Sequence, residues 1–344
     1  MFIFKKRFEV FMQKLTGQDQ QQDAEIADEI TPTSHEQVNC PPKTVNTSPA
    51  PSNSTYQQAE SFGLAKIAKS PWQSFTLSIF AGAFIAIAFV FYVTVTTGST
   101  SDWGMTRFIG GLAFSLGLIL VVVCGAELFT STVLTSIPWA QKQVKTSTQL
   151  QCWARVYAGN LVGALLMVLL IMMSRMFELN GGQWGLNALN IAQHKIHHTW
   201  VQAFTLGILC NMLVCLAVWM TFATKDLLTK SLLMMLPVAM FVSSGFEHSI
   251  ANMFMVPLGV AIHAFAPESF YVALNISPEQ YADLTLLSFV FNNLIPVTLG
   301  NIVGGGVFIG LGFWLVQQGQ LTIGSQGASH GSLVTKAEQK DSLR

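Results

Sequence analysis

Glu247 and His248 stand side by side in Gly245-Phe-Glu-His-Ser-Ile-Ala-Asn252, inside 37 residues between Lys230 and Glu268 that hold no other ionisable side chain except His263 near the far end. A straight helix of that length would rise about 55 Å, against a bilayer hydrocarbon core of about 30 Å. The stretch is therefore expected to be interrupted, and Gly245 with the polar cluster behind it marks the place. Ionisable groups and non-helical backbone are tolerated at membrane depth only where they face protein or a water-filled cavity, so the pair is a candidate functional site. His248 brings a side chain that exchanges a proton near neutral pH.

A second acid sits in a matching context. Gly125-Ala-Glu127-Leu-Phe-Thr130 reads against Gly245-Phe-Glu247-His-Ser-Ile250, and one span later Gly159-Asn-Leu-Val-Gly163 reads against Gly300-Asn-Ile-Val-Gly304. A three-span unit written twice must place its second copy upside down, giving an inverted repeat with a broken helix in each half. Free N–H groups and positive dipole ends at such breaks favour an anion. Thr130 offers a hydroxyl just past the first break and His248 an imidazole at the second, so a small carboxylate or oxyanion is expected to meet both. Glu127 and Glu247 would oppose an anion if they faced it; they are expected to turn away and accept hydrogen bonds from loop N–H groups. Asn160, Asn211 and Asn301 are placed to hold broken backbone or to touch solute, and the sequence leaves both roles open. Phe114, Leu118, Leu128, Val214 and Phe241 are candidates for narrowing the path against hydrated cations, with plain packing the alternative for each. Lys195, in His194-Lys195-Ile-His197-His198 ahead of span four, is a candidate attractor of anions at a pore mouth. The three histidines there fit a solvated or hydrogen-bonded loop better than a metal site, and no cofactor or metal is expected.

The rest of the chain supplies the frame. It is 51% hydrophobic and 10% charged over 344 residues, which identifies an integral membrane protein. Equal numbers of basic and acidic residues, 18 each, give no basic surface for nucleic acid. Five cysteines without C-x-x-C spacing (Cys40, Cys124, Cys152, Cys210, Cys215) indicate buried thiols rather than a disulfide framework. Apart from Glu127 and Glu247, the charged residues leave six neutral gaps: Lys69 to Asp102, Arg107 to Lys142, Arg155 to Arg175, Lys195 to Lys225, Lys230 to Glu268 and Asp283 to Lys336. An all-α fold of six transmembrane helices is expected, helices two and five broken. Lys142, Lys145, Lys225 and Lys230 flank one side, while Glu268, Glu279 and Asp283 flank the other without a lysine or arginine; both termini are then cytoplasmic. Residues 1–60 are read as a disordered cytoplasmic arm, 61–318 as the six-span domain, and 319–344 as a cytoplasmic tail.

Gly125-Ala-Glu-Leu-Phe-Thr-Ser-Thr132, Gly245-Phe-Glu-His-Ser-Ile-Ala-Asn-Met-Phe254 and Asn293-Leu-Ile-Pro-Val-Thr-Leu-Gly-Asn-Ile-Val-Gly-Gly-Gly306 resemble the signatures of the formate–nitrite transporter family, in order, from about Ser61 to about Gln317. The resemblance implies an aquaporin-like six-helix protomer, a homopentamer with one pore per protomer, and a bacterial inner-membrane location. It implies a bidirectional, pH-dependent channel for formate, with Thr130 and His248 facing the pore and coupling passage to a proton. Glu247, Asn211, Asn301 and Lys195 fall on matching positions, as do Leu118, Leu128, Phe114 and Phe241. Nitrite fits the same reading, and a membrane enzyme using His248 and Glu247 is the competing class. The arm before about Ser61 departs from the family's short amphipathic gating helix; Phe62 to Ile67 are expected to form a brief interfacial helix. A glycyl-radical formate-producing enzyme is the partner implied at the cytoplasmic face.

Overall fold

The structure, a computed structural model, describes residues 51–319, and no β-strand occurs among the described residues. The arm before residue 51, Cys40 within it, and the tail beyond Gly319 lie outside them. The first element, α1 (Pro51–Ala68), overruns the expected boundary at residue 60: residues 51–60, read as disordered arm, are helical. The reason is tertiary. Tyr56, Ala59, Gly63 and Lys66 fall on one face and are buried, Gln141 donates to the Tyr56 hydroxyl at 3.0 Å, and the Phe62 and Phe222 rings lie 5.3 Å apart. Gln57, Gln58 and Ser61, on the other face, are exposed.

Next come α2 (Pro71–Thr96), α3 (Trp103–Val123), the short α4 (Phe129–Thr132) leading through a turn into α5 (Ser136–Ala140), and α6 (Thr146–Met173). The second half repeats the order with α7 (Gln183–Ile196), α8 (Trp200–Met220), α9 (Leu227–Ser243), α10 (Ser249–Phe265), α11 (Glu268–Leu274) and a last span containing α12 (Ile295–Asn301) between π-helical stretches. Ser70 accepts from Gln73 N–H to open α2, and Thr199 accepts from Gln202 N–H to open α8. Among the described residues, five helices are long and apolar enough to cross a membrane, and six when the pair Ser249–Phe265 and Glu268–Leu274, bent by 103°, is one span. The break expected in the fifth span lies before that bend, between α9 and α10. Each of these has 17 residues, about 25 Å, so neither spans the core alone.

Packing shows the repeat. α2 lies against α6 as α8 lies against α12, and α3 crosses α9 between them. Gly300 and Gly304 allow the last pair to touch backbone to backbone: a Cβ at Gly300 would come within 2.1 Å of Phe204 O, and one at Gly304 within 2.2 Å of Ile208 O.

Candidate functional site

Each long helix before a break ends on a glycine that only a left-handed backbone fits, Gly125 with φ +68° and Gly245 with φ +74°. The bonds around the two turns correspond one for one. Ala126 N–H returns to Val121 O and Phe246 N–H to Phe241 O, both at 2.9 Å; Glu127 N–H reaches Leu77 O and Glu247 N–H reaches Leu206 O. Asn160 accepts from Phe129 N–H at 2.9 Å and donates to Ser78 O and Glu127 O. Asn301 accepts from Ser249 N–H at 2.9 Å and donates to Gly207 O and Glu247 O. Of the two roles left open for the asparagines, these bonds display the holding of broken backbone. Asn211 does the same, donating to Thr130 O at 3.1 Å and to Asn301 O at 2.6 Å.

The acids are held differently from expectation. Glu127 and Glu247 each line a cavity, and the groups they accept from are side chains rather than loop N–H groups. Lys66 Nζ and Lys69 Nζ each lie 2.8 Å from one oxygen of Glu127. Lys195 Nζ lies 2.8 Å from Glu247 Oε1, while Asn252 and Asn293 donate to Oε2 at 2.6 and 3.1 Å. A buried carboxylate needs such charge-assisted bonds to offset its lost hydration, and a lysine on the element preceding each unit supplies one. Lys195 is thus a buried partner of Glu247, although it also lines the cavity on its side.

His248 ends the expected symmetry. It occupies the N-cap position that Leu128 occupies in the first half. Its Nδ1 accepts from Ala251 N–H at 3.1 Å, which assigns the proton of the neutral ring to Nε2; that atom lies 3.0 Å from Thr130 Oγ1. The structure therefore brings His248 and Thr130 together. It also shows that the free N–H groups expected at the breaks are partly taken, Phe129 and Ser249 by the asparagines and Ala251 by His248 itself.

Two cavities flank this contact. One, of about 250 Å³, is lined by Phe89, Arg107, Phe114, Lys195, Phe241 and His248 among others; the second, of about 220 Å³, by Lys66, Lys69, Glu127, Ser131, Phe222 and Lys230 among others. We refer to them as the Lys195 and Lys66 vestibules. Phe114 and Phe241 wall the first, with the Phe241 ring stacked on His248 at 6.1 Å. Leu118, Leu128 and Val214 are buried and line neither vestibule. The histidine cluster divides: His197 pairs with Asp283, His198 lies 3.7 Å from Glu247, and His194 lines the Lys195 vestibule. No group of three metal-ligating side chains occurs among the described residues.

Sequence reasoning missed Lys66, Lys69, His198, Asn252 and Asn293. A signal for the first three existed. Lys66, Lys69 and Ser70 precede the first unit at the spacing at which Lys195, His198 and Thr199 precede the second, so the repeat begins one short helix earlier than the glycine motifs suggest.

The family model for formate/nitrite transporters matches residues 53–315. This chain belongs to the formate/nitrite transporter family. It is 53% identical over 259 residues to the formate channel FocA of Escherichia coli (strain K12), covering 75% of this chain and 91% of that one. It is 49% identical over 254 residues to the formate channel FocA of Haemophilus influenzae, covering 74% and 89%. A solved pentameric formate channel with formate bound superposes with a TM-score of 0.67 at 54% identity, covering 72% of this chain and 98% of that one. As a member of the formate/nitrite transporter family, the chain is a multi-pass membrane protein, and both its breaks fall inside the matched region.

Proposed function

We propose that this chain is a formate channel, working as a homopentamer with one path per protomer. The observation that carries the reading is the Thr130–His248 contact at 3.0 Å, with a lysine-lined vestibule on each side. An anion attracted into either vestibule meets apolar walls, sheds water, and finds Nε2–H and a threonine hydroxyl as its hydrogen-bond donors. The names of the relatives at 53% and 49% identity support formate as that anion. Nothing in the chemistry at the contact requires a reaction on the substrate beyond proton exchange, which favours a channel over an enzyme.

His248 engages formate as a neutral donor. A proton passes when the Ala251 N–H contact opens, so that Nδ1 takes a proton from the vestibule and the Nε2 proton moves to the carboxylate. Formic acid then leaves, and the ring must exchange its proton back to Nε2 before the cap re-forms. The lysines Lys142, Lys145, Lys225 and Lys230 support an orientation with the Lys66 vestibule and both termini on the cytoplasmic side of a bacterial inner membrane. A glycyl-radical formate-producing enzyme would meet the arm there, most of which lies outside the described residues.

In sealed proteoliposomes, initial formate flux should exceed that of nitrite and hydrosulfide. His248→Asn should keep a hydrogen-bond donor while flattening the pH dependence of the flux, and Thr130→Ala should slow it by about tenfold, the scale of one lost charge-assisted hydrogen bond. An unchanged pH profile in His248→Asn would remove the proton-exchange role.

A further inference from the structure

The two halves differ at one charge. Around Glu127 both carboxylate oxygens face ammonium groups, Lys66 on one and Lys69 on the other, so the cluster carries a permanent net positive charge. Around Glu247, Lys195 takes Oε1 and the amides of Asn252 and Asn293 take Oε2, so the corresponding cluster is neutral. The residue at the position of Lys69 is His198. Its Nε2 is buried, lies 3.7 Å from Glu247 Oε1 and has no hydrogen-bond partner.

We propose that His198 sets the charge of the Lys195 vestibule and thereby the capture of formate from that side. A proton added to the free nitrogen of His198 makes an imidazolium facing Glu247, and the neutral cluster becomes positive like the cluster around Glu127. The other charged and titratable groups facing this corner are His194, whose ring meets that of His198 edge-on at 4.9 Å, Lys195, Glu247, and Arg107 reaching across from α3 to Ser243 O and Val242 O. Burial, with the neighbouring His198 and Lys195 charges, holds His194 below the ordinary imidazole range. The effect is distinct from that of His248: His198 stands behind Glu247, which lines the vestibule, and acts on capture through the charge of that cluster, whereas His248 lines the vestibule itself and acts on passage.

The inference rests on the channel reading and on the orientation in which the Lys195 vestibule faces outward. The test uses full-length protein in sealed right-side-out vesicles with internal pH fixed, external pH stepped from about 5.5 to about 8, the window in which imidazole charges, and initial formate uptake measured against concentration. In the parent, the half-saturating external formate should fall about two- to fivefold as the outside is acidified. His198→Lys should hold it at the low plateau at every pH and His198→Gln at the high plateau, with maximal rates little changed. The converse variant, Lys69→His, should give efflux a half-saturation that depends on internal pH, and it tests the idea even where the His198 variants fold poorly. Parent-like pH slopes in both His198 variants, or a pH-independent efflux half-saturation in Lys69→His, would overturn the role. Absence of formate flux in the parent would instead overturn the channel reading.

Discussion

The two breaks are built alike and used differently. At each, a positive-φ glycine ends a helix, an asparagine from a neighbouring span ties the loose backbone, and a buried glutamate behind the turn receives a lysine. The shared parts meet a shared problem, since irregular backbone in a membrane must find internal partners for its polar groups. The differences fall at the N-cap after each break and beside each glutamate. Leu128 in one half corresponds to His248 in the other, Lys69 corresponds to His198, and Thr130 belongs to one half only. Duplication supplied a scaffold, and departures from it mark the groups that can change charge.

That comparison can be broken most forcefully at the lysines. Lys195→Met leaves Glu247 with amides and an imidazole 3.7 Å away, whereas Lys66→Met leaves Glu127 with Lys69 still 2.8 Å from one oxygen. The first should cost about 3–5 kcal/mol and the second about half as much, read as the thermal midpoint of the detergent-solubilised protein. Equal losses would mean that the two clusters are not distinguished by their second cation. A step smaller, Asn160→Leu and Asn301→Leu each remove one acceptor and two donor contacts to backbone, and each should cost about 3 kcal/mol, the two agreeing within about 1 kcal/mol. A wide gap between them would show that the asparagines do not play matched parts. The smallest effect is expected at the glycines. Gly125→Ala has open space around the added carbon and should cost about 1–2 kcal/mol of backbone strain, while Gly245→Ala should cost more because its Cβ would lie 2.9 Å from Arg107 Nη2. The same thermal midpoints rank them.

Much of this was legible in the chain. Charge-free gaps gave the spans, and the matched Gly-x-Glu motifs gave both breaks and their relation, because a membrane makes each glycine, acid or imidazole in an apolar run stand out. The asymmetry at His248 was legible for the same reason. Of helix α1 only Phe62 to Ile67 was legible; its extension back to Pro51 was not, because the Gln- and Ser-rich sequence hides the buried face of Tyr56 and Ala59. The partners of the glutamates were not legible either: Lys66 lies 61 residues from Glu127, and Lys195 lies 52 from Glu247. Nor was the 103° bend after Phe265.

By itself, then, the sequence determined which segments cross the bilayer, where two of them stop being helical, and which half carries the titratable group, since exclusion of water makes each of these a local property of residue type. Tertiary structure decided which cation meets which carboxylate, that the asparagines are spent on backbone, and that Thr130 and His248 approach to 3.0 Å from positions 118 residues apart. Those pairings depend on which helix faces meet when the two inverted halves close on each other, and no local pattern encodes that meeting.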